Sequence, residues 1–267
     1  MSVHKTLSGH VATLTIDRPA ALNALDLPTL RRLRQHLMEA RDNREIRVVV
    51  IAGGGDRAFC VGADLKGTTT SPAPYAEAYF QAKEIAADMG LYVRLMDLSD
   101  LDLNKPLIAA INGHCLGGGL ELALQCDLRI ASHNATFGLP EVAVGSVPAV
   151  SGLHRLLRAV PSAAAMQLAL TGNRIQAEQA LQWGLISEMV PQEKLATRIA
   201  DIAGQIAANA PLAVQAVKKL AAQTAHLSYA DAQQLTELYW GVLRDTDDRR
   251  EGRRAFAEKR SPRFAGR

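Results

Sequence analysis

The chain has 267 residues, 48% hydrophobic and 21% charged, with 20 glycines, 11 prolines and a net charge of +3. This is the composition of a globular protein with a substantial core, and it excludes a disordered, collagen-like or strongly basic nucleic-acid-binding chain. The N-terminus, MSVHKTLSGH, has no apolar core behind a basic region, and no segment approaches about 18 uncharged apolar residues, so a soluble cytoplasmic protein is expected.

The first expected element is a strand in VATLTIDRP, from Val11 to the break at Pro19. Asp26 begins a helix that tolerates Pro28 in its first turn and carries Leu30, Leu33 and Leu37 as its apolar stripe. Residues 46–52, IRVVVIA, form a β-branched run too continuous for a half-exposed strand and predict a central one covered on both faces. GGGDRAFCVGADL follows as a strand end, a turn of small residues and a helix start. TTTSPAP, from Thr68, is a turn-rich loop, and the helices behind it are placed to form a lid.

Lys105-Pro106 leads into a buried strand, LIAAI, which runs directly into NGHCLGGGLELALQCD. There the glycines permit a sharp reversal, and residues 120–126 read as a helix with almost no polar face. DLRIAS is a short strand, and TFGLPEVAVG a strand or loop broken by Gly138 and Pro140. The order strand, glycine turn, helix occurs twice before residue 130, which predicts an α/β fold of repeated ββα layers rather than an open dinucleotide-binding sheet. Beyond Pro161 helices are expected over residues 162–170, 175–183, 193–208, 212–222, 229–242 and 248–258. Residues 1–195 are assigned to the core and 196–267 to a helical region suited to packing on the core or on another subunit. Residues 244–267 hold nine Arg or Lys against five Asp or Glu, a solvated face, a subunit contact or an attraction for an anion.

No G-x-G-x-x-G follows a strand, and G-x-x-x-x-G-K-[ST], H-E-x-x-H and G-x-S-x-G are absent, which removes the usual dinucleotide, nucleotide, zinc-protease and esterase signatures. Cys60, Cys115 and Cys126 are odd in number and read as buried free thiols; with His114 and His133 they match no metal-ligand spacing. Glu121 is more informative. If Gly118 lies in the first turn of the helix, its N–H lacks an internal acceptor, and Glu121, three residues on, projects from nearly the same face. Backbone donor, helix-start field and carboxylate would then share one concavity. Equally open on these residues is a packing turn whose Glu121 forms a capping box. Glu141, between Pro140 and VAV, is a second acid in an apolar setting, a site acid or a surface-loop acid. The turn near Ala63 repeats the device, and two such turns brought together could aim two N–H groups at one oxygen.

FCVGADL, INGHCLGGGLELALQCDLRIAS and FGLPEVAVG, in this order, resemble the crotonase, or enoyl-CoA hydratase/isomerase, superfamily. The likeness runs from IDRPAALNAL through TGNRIQAEQALQWGLISEMV to EGRRAFAEKRSPRF, essentially the whole chain. It implies a crotonase-like spiral of repeated ββα units with a helical C-terminal region for trimer contacts, as a homotrimer or a hexamer of two trimers. It implies no separate cofactor, coenzyme A being part of an acyl-CoA thioester substrate whose carbonyl oxygen is held by the N–H groups of Ala63 and Gly118. It matches Glu121 and Glu141, twenty positions apart, to the family's hydratase pair: Glu121 to activate water, Glu141 to hold the same water and deliver a proton to Cα. Val61 and Ala63 fall in the segment that receives the adenine, Lys66 beside the CoA nucleotide, and His114 beside the oxyanion turn, placed to shape the acyl pocket.

The reaction so implied is reversible syn addition of water to a 2-enoyl-CoA to give a 3-hydroxyacyl-CoA. The enzymatic alternatives are a delta-isomerase and a specialised acyl-CoA dehydratase of the same superfamily. A non-catalytic RNA- or protein-binding relative is disfavoured by the dispersed charge and the intact pair of acids. One departure stands out: Pro148, Ala149, Val150 and Ser151 replace a glycine-rich segment common in hydratases, which argues against a short straight-chain acyl group.

Overall fold

A computed structural model describes residues 2–64 and 74–267. The chain begins with β1 (Val3–Ser8) and β2 (Val11–Ile16), then α1 (Leu27–Asp42), β3 (Val48–Gly53) and β4 (Ala58–Cys60). Two short helices, α2 (Tyr75–Tyr79) and α3 (Lys83–Ala86), and a series of tight turns lead to β5 (Leu107–Ile111), β6 (His114–Leu116), α4 (Gly118–Ala123), β7 (Leu128–Ser132) and β8 (Thr136–Gly138). Then come α5 (Gly152–Ala159), α6 (Ser162–Thr171), β9 (Ile175–Gln176), α7 (Ala177–Gln182) and β10 (Glu188–Val190). The chain closes with α8 (Leu195–Ala207), α9 (Pro211–Thr224), α10 (Tyr229–Arg244) and α11 (Asp247–Ala257).

The strands form two sheets, one ordered β1-β2-β3-β5-β7-β10 and the other β4-β6-β8-β9. Successive strands leave the first sheet for the second three times: β3 to β4, β5 to β6, β7 to β8. A helical segment returns the chain to the larger sheet after β4 and after β6, so one strand of each sheet and one helical stretch make a repeat; after β8 the helices α5 and α6 lead first to β9 of the smaller sheet, and α7 then returns the chain to β10. This is the ββα spiral, and it puts the ends of β4 and β6, paired in parallel, side by side.

β3 occupies the centre of the larger sheet, parallel to β2 and β5. Val49 and Ile51 face the main core, Val48 and Val50 the opposite side, where Leu195, Ile199, Ala203 and Ala207 of α8 cover them. The unbroken apolar run of residues 48–52 has this cause: alternate side chains enter two different cores. Asp26 caps α1 by accepting from the Thr29 N–H at 2.9 Å, worth about 1 kcal/mol, and Leu30, Leu33 and Leu37 are buried beneath it.

Several elements differ from the sequence expectation. β1 is a largely polar edge strand, paired antiparallel with β2, and its weak apolar pattern gave no signal. The helix expected from residue 175 starts at Ala177, because Ile175 and Gln176 pair first with β8 at the edge of the smaller sheet. α4 starts two residues earlier than expected and ends at Ala123, and the three-residue strand β6 precedes its turn. α5 and β10 were not anticipated. The helix start expected after Asp64 and the TTTSPAP loop to Ala73 lie outside the described residues.

Cys60, Cys115 and Cys126 are buried free thiols, and burial pushes Cys60 and Cys126 up to about 12. The basic tail is folded back by its own acids: Asp248 accepts from the Ala265 and Gly266 amides, and Glu251 from the Arg254 and Arg260 side chains and the Arg263 amide. Among the described residues, no helix is long and apolar enough to cross a membrane, and no group of three or more His, Cys, Asp or Glu could hold a metal ion.

Candidate active site

The site forms where the chain leaves β4 and β6. Gly117 turns the second of these ends with φ of 52° and ψ of −130°, a conformation open to glycine and costly for other residues. Its N–H donates to the Gly138 carbonyl, and its carbonyl accepts the first helical bond, from Glu121 at 3.0 Å. α4 therefore starts with Gly118 at its head, and Gly119 lets it lie on β4: a Cβ there would stand 2.1 Å from the Cys60 carbonyl oxygen.

The turn after β4 is braced from a distance. Leu25 donates to the Gly62 carbonyl at 2.8 Å and accepts from Asp64 at 3.0 Å, which turns the amide of the intervening Ala63 to the opposite side. The IDRPAALNAL stretch holds this arrangement. Arg18 bonds Asp64 at 2.8 Å and pairs with Asp26 at 3.0 Å, and the fully buried Asn23 donates to the Gly54 and Ala58 carbonyls while accepting from the Arg18 amide.

The two turns touch. A Cβ added to Gly62 would lie 2.7 Å from the Gly118 nitrogen, so the amide of Gly118 and the backbone flanking Ala63 are neighbours. Among the described residues, neither the Ala63 nor the Gly118 N–H has a hydrogen-bond partner. Val61 is half-buried beside them, its carbonyl 3.7 Å from where a Gly117 Cβ would stand. Met96 closes the other side, its sulfur 2.7 Å from the position of a Cβ on Gly118. Lys66 lies outside the described residues.

Both acids reach this turn. Glu121 is 2% exposed, and its Oε1 accepts from the Val150 and Gly152 amides, each at 2.8 Å. The Gly117 amide, which a capping box would give to Glu121, donates to the Gly138 carbonyl instead, so the capping-box reading of Glu121 falls. Burial raises its pKa, and the two amides, which favour the charged form, counter part of the rise. Glu141 sits in a 3-10 turn, Pro140–Val144, with Oε1 3.1 Å from the position a Gly117 Cβ would take. It is no solvated loop acid: burial, with the charge of Glu121 adding to it, pushes it up to about 6, and among the described residues its buried Oε2 has no hydrogen-bond partner.

The structure thus brings together Ala63, Gly118, Val61, Glu121 and Glu141. His114 projects elsewhere in its strand pair: its Nδ1 bonds Thr136 at 2.8 Å, and burial with the charges of Arg174 and Arg57 lowers its pKa. Sequence reasoning missed Val150 and Gly152, which hold Glu121, and the brace of Arg18, Asn23 and Asp64. The resemblance around IDRPAALNAL was a signal for the brace. Pro148 to Ser151 signalled a departure, which the structure locates against Glu121 itself.

The enoyl-CoA hydratase/isomerase family model matches residues 6–267. The chain is 44% identical over 266 residues to the (E)-benzylidenesuccinyl-CoA hydratase of Thauera aromatica, with all of both chains covered. It is 41% identical over 270 residues to the carnitinyl-CoA dehydratase of Proteus mirabilis, covering all of this chain and 99% of that one. Among solved structures, the enoyl-CoA hydratase of Bacillus anthracis superposes with a TM-score of 0.90 at 33% identity over the whole of both chains. That of Mycobacterium tuberculosis gives 0.86 at 32% identity, covering all of this chain and 99% of the other. Spiral, paired turns and full-length likeness agree: the chain belongs to the enoyl-CoA hydratase/isomerase family, the crotonases, and is an enzyme of their hydration and dehydration chemistry on acyl-CoA thioesters.

Proposed function

We propose that the protein catalyses reversible syn addition of water across the double bond of a 2-enoyl-CoA, giving a 3-hydroxyacyl-CoA. The observation that carries this reading is the pair of buried acids at one turn with two backbone N–H groups beside them, Ala63 and Gly118, that have no hydrogen-bond partner among the described residues. Held by those donors, the thioester carbonyl is polarised, and Cβ becomes electrophilic as enolate-like charge gathers on the oxygen; one such donor is worth about 3 kcal/mol. Glu121, oriented by two amides that favour its charged form, takes the proton of the attacking water. Glu141, whose raised pKa favours the protonated form, orients that water and supplies the proton to Cα. In dehydration the same groups act in reverse.

In the same proposal, Val61 and Ala63 receive the adenine by backbone contacts, and Lys66 attracts the CoA phosphates. The acyl group is substituted rather than a short straight chain: the Val150–Gly152 turn, which departs from the glycine-rich segment of many hydratases, packs against Glu121, and the related enzymes are named for benzylidenesuccinyl and carnitinyl thioesters. The core of residues 1–195 and the helices of 196–267 assemble as a homotrimer or a hexamer of two trimers. Exposed Trp240, Val242 and Phe256 on α10 and α11 support an oligomer, which light scattering would measure.

A panel of 2-enoyl-CoA and 3-hydroxyacyl-CoA thioesters, read by mass, tests the reading. Interconversion by the mass of one water is expected for at least one substituted pair. Turnover confined to products of unchanged mass would assign an isomerase, and no turnover across the panel would overturn the proposal.

A further inference from the structure

We propose that Ser151 and Arg155 form a latch that positions Glu121. The inference rests on the proposed role of Glu121 and adds two residues acting on it through the backbone. Ser151 has φ of 80° and ψ of 7°, a left-handed conformation that L side chains other than Asn and Asp rarely adopt. Its neighbours on both sides, Val150 and Gly152, aim their amides at the same oxygen of Glu121. A left-handed residue between two converging N–H groups is a backbone nest, a concavity suited to an anion, and here the anion is the protein's own carboxylate.

Arg155 holds this turn twice. Its amide donates to the Ser151 carbonyl at 3.1 Å, and its Nε donates to the Ser151 hydroxyl oxygen at 2.9 Å. Ser151 stands at the N-cap of α5, yet its hydroxyl makes no cap bond, so its oxygen serves Arg155. There is no slack between turn and acid: a Cβ on Gly152 would lie 2.7 Å from both Cγ and Oε1 of Glu121. A shift of the turn is therefore passed to the carboxylate. Val150 and Gly152 are buried and Ser151 and Arg155 half-buried, so water competes weakly for these bonds.

The latch is tested with Ser151→Ala, Ser151→Gly, Arg155→Met and Arg155→Lys. Two readouts apply, kcat with KM, and titration of the Glu121 carboxyl by carbon-13 NMR, its resonance identified by loss in Glu121→Gln. Elements packed against α4 carry His114 and Cys115 on β6, Cys60 on β4, Tyr92 and Arg94 in the turns before β5, and His154, Arg155 and Arg158 on α5; Glu141 is the acid whose charge meets that of Glu121. Loosening the nest weakens bonds to the charged form, so Glu121 should titrate higher by about half a unit in Ser151→Ala and Arg155→Met. In both, kcat should fall about fivefold with KM held within about twofold, as misorientation of the base requires. Arg155→Lys, which keeps a donor, should recover part of each change. Unchanged titration and kcat in Ser151→Ala and Arg155→Met, or both kept in Ser151→Gly, would overturn the latch; so would a fall in Tm with neither readout moved. The titration needs no turnover, so a wild-type enzyme inactive on every thioester would sink the proposed reaction while leaving the latch measurable.

Discussion

Glu121 and Glu141 meet at one turn and are both raised by burial, yet the protein surrounds them differently. Glu121 is the more deeply buried, and two amides from a turn 29 and 31 residues away lower the cost of its charge. Glu141 is less buried, its Oε2 lacks a partner among the described residues, and it rises to about 6. The difference teaches that hydrogen bonding, beside depth, sets how far burial disfavours a carboxyl's charge, the separation that the proposed roles of base and proton donor require.

The largest effect should come from removing the proposed base. Glu121→Gln keeps an oxygen for the Val150 and Gly152 amides, so the fold should hold while kcat falls about 10³-fold, checked by steady-state rates beside circular dichroism. Next is the contact between the two turns. Gly62→Ala would drive a methyl into the Gly118 amide and strain a residue at φ of 92°, and should lower kcat about 10²-fold, with acyl-CoA binding much less affected. An equal loss in binding would mean that the donors serve the ground state alone.

The smallest effect has the opposite sign. Glu141 titrates at about 6 in the folded protein against an ordinary value of 4.5, so the folded state binds more protons between those values. Stability should therefore fall as pH rises from 4.5 through 6 and stay lower above it. Glu141→Gln removes that penalty. Above pH 6 the variant should gain about 1 kcal/mol, or about 2 °C in Tm, after allowance for the group's partial exposure, and the gain should vanish near pH 4.5. Calorimetry at the two pH values checks this, and a variant less stable than wild type at pH 7 would contradict it.

What the sequence disclosed follows the range of the interactions involved. Gly118 and Glu121 were legible because three residues on one helix fix their relation, and the central strand because its apolar run is continuous. Glu141 was ambiguous by itself and became a candidate through the family spacing. The nest at Val150 and Gly152 was hidden: Val-Ser-Gly gives no sign of a left-handed serine, and its partner is brought in by the tertiary fold. β6 and β9 were too short for periodicity to register, and pairing with neighbouring strands makes them.

The most direct measurement is turnover of a 2-enoyl-CoA in oxygen-18 water by the wild-type enzyme and by Glu121→Gln. The wild type should place one labelled oxygen at Cβ, and the variant should bind the thioester yet incorporate label about 10³-fold more slowly. An unlabelled double-bond isomer as the product, or label entering the variant's product at the wild-type rate, would contradict the assignment of Glu121 as the residue that activates water.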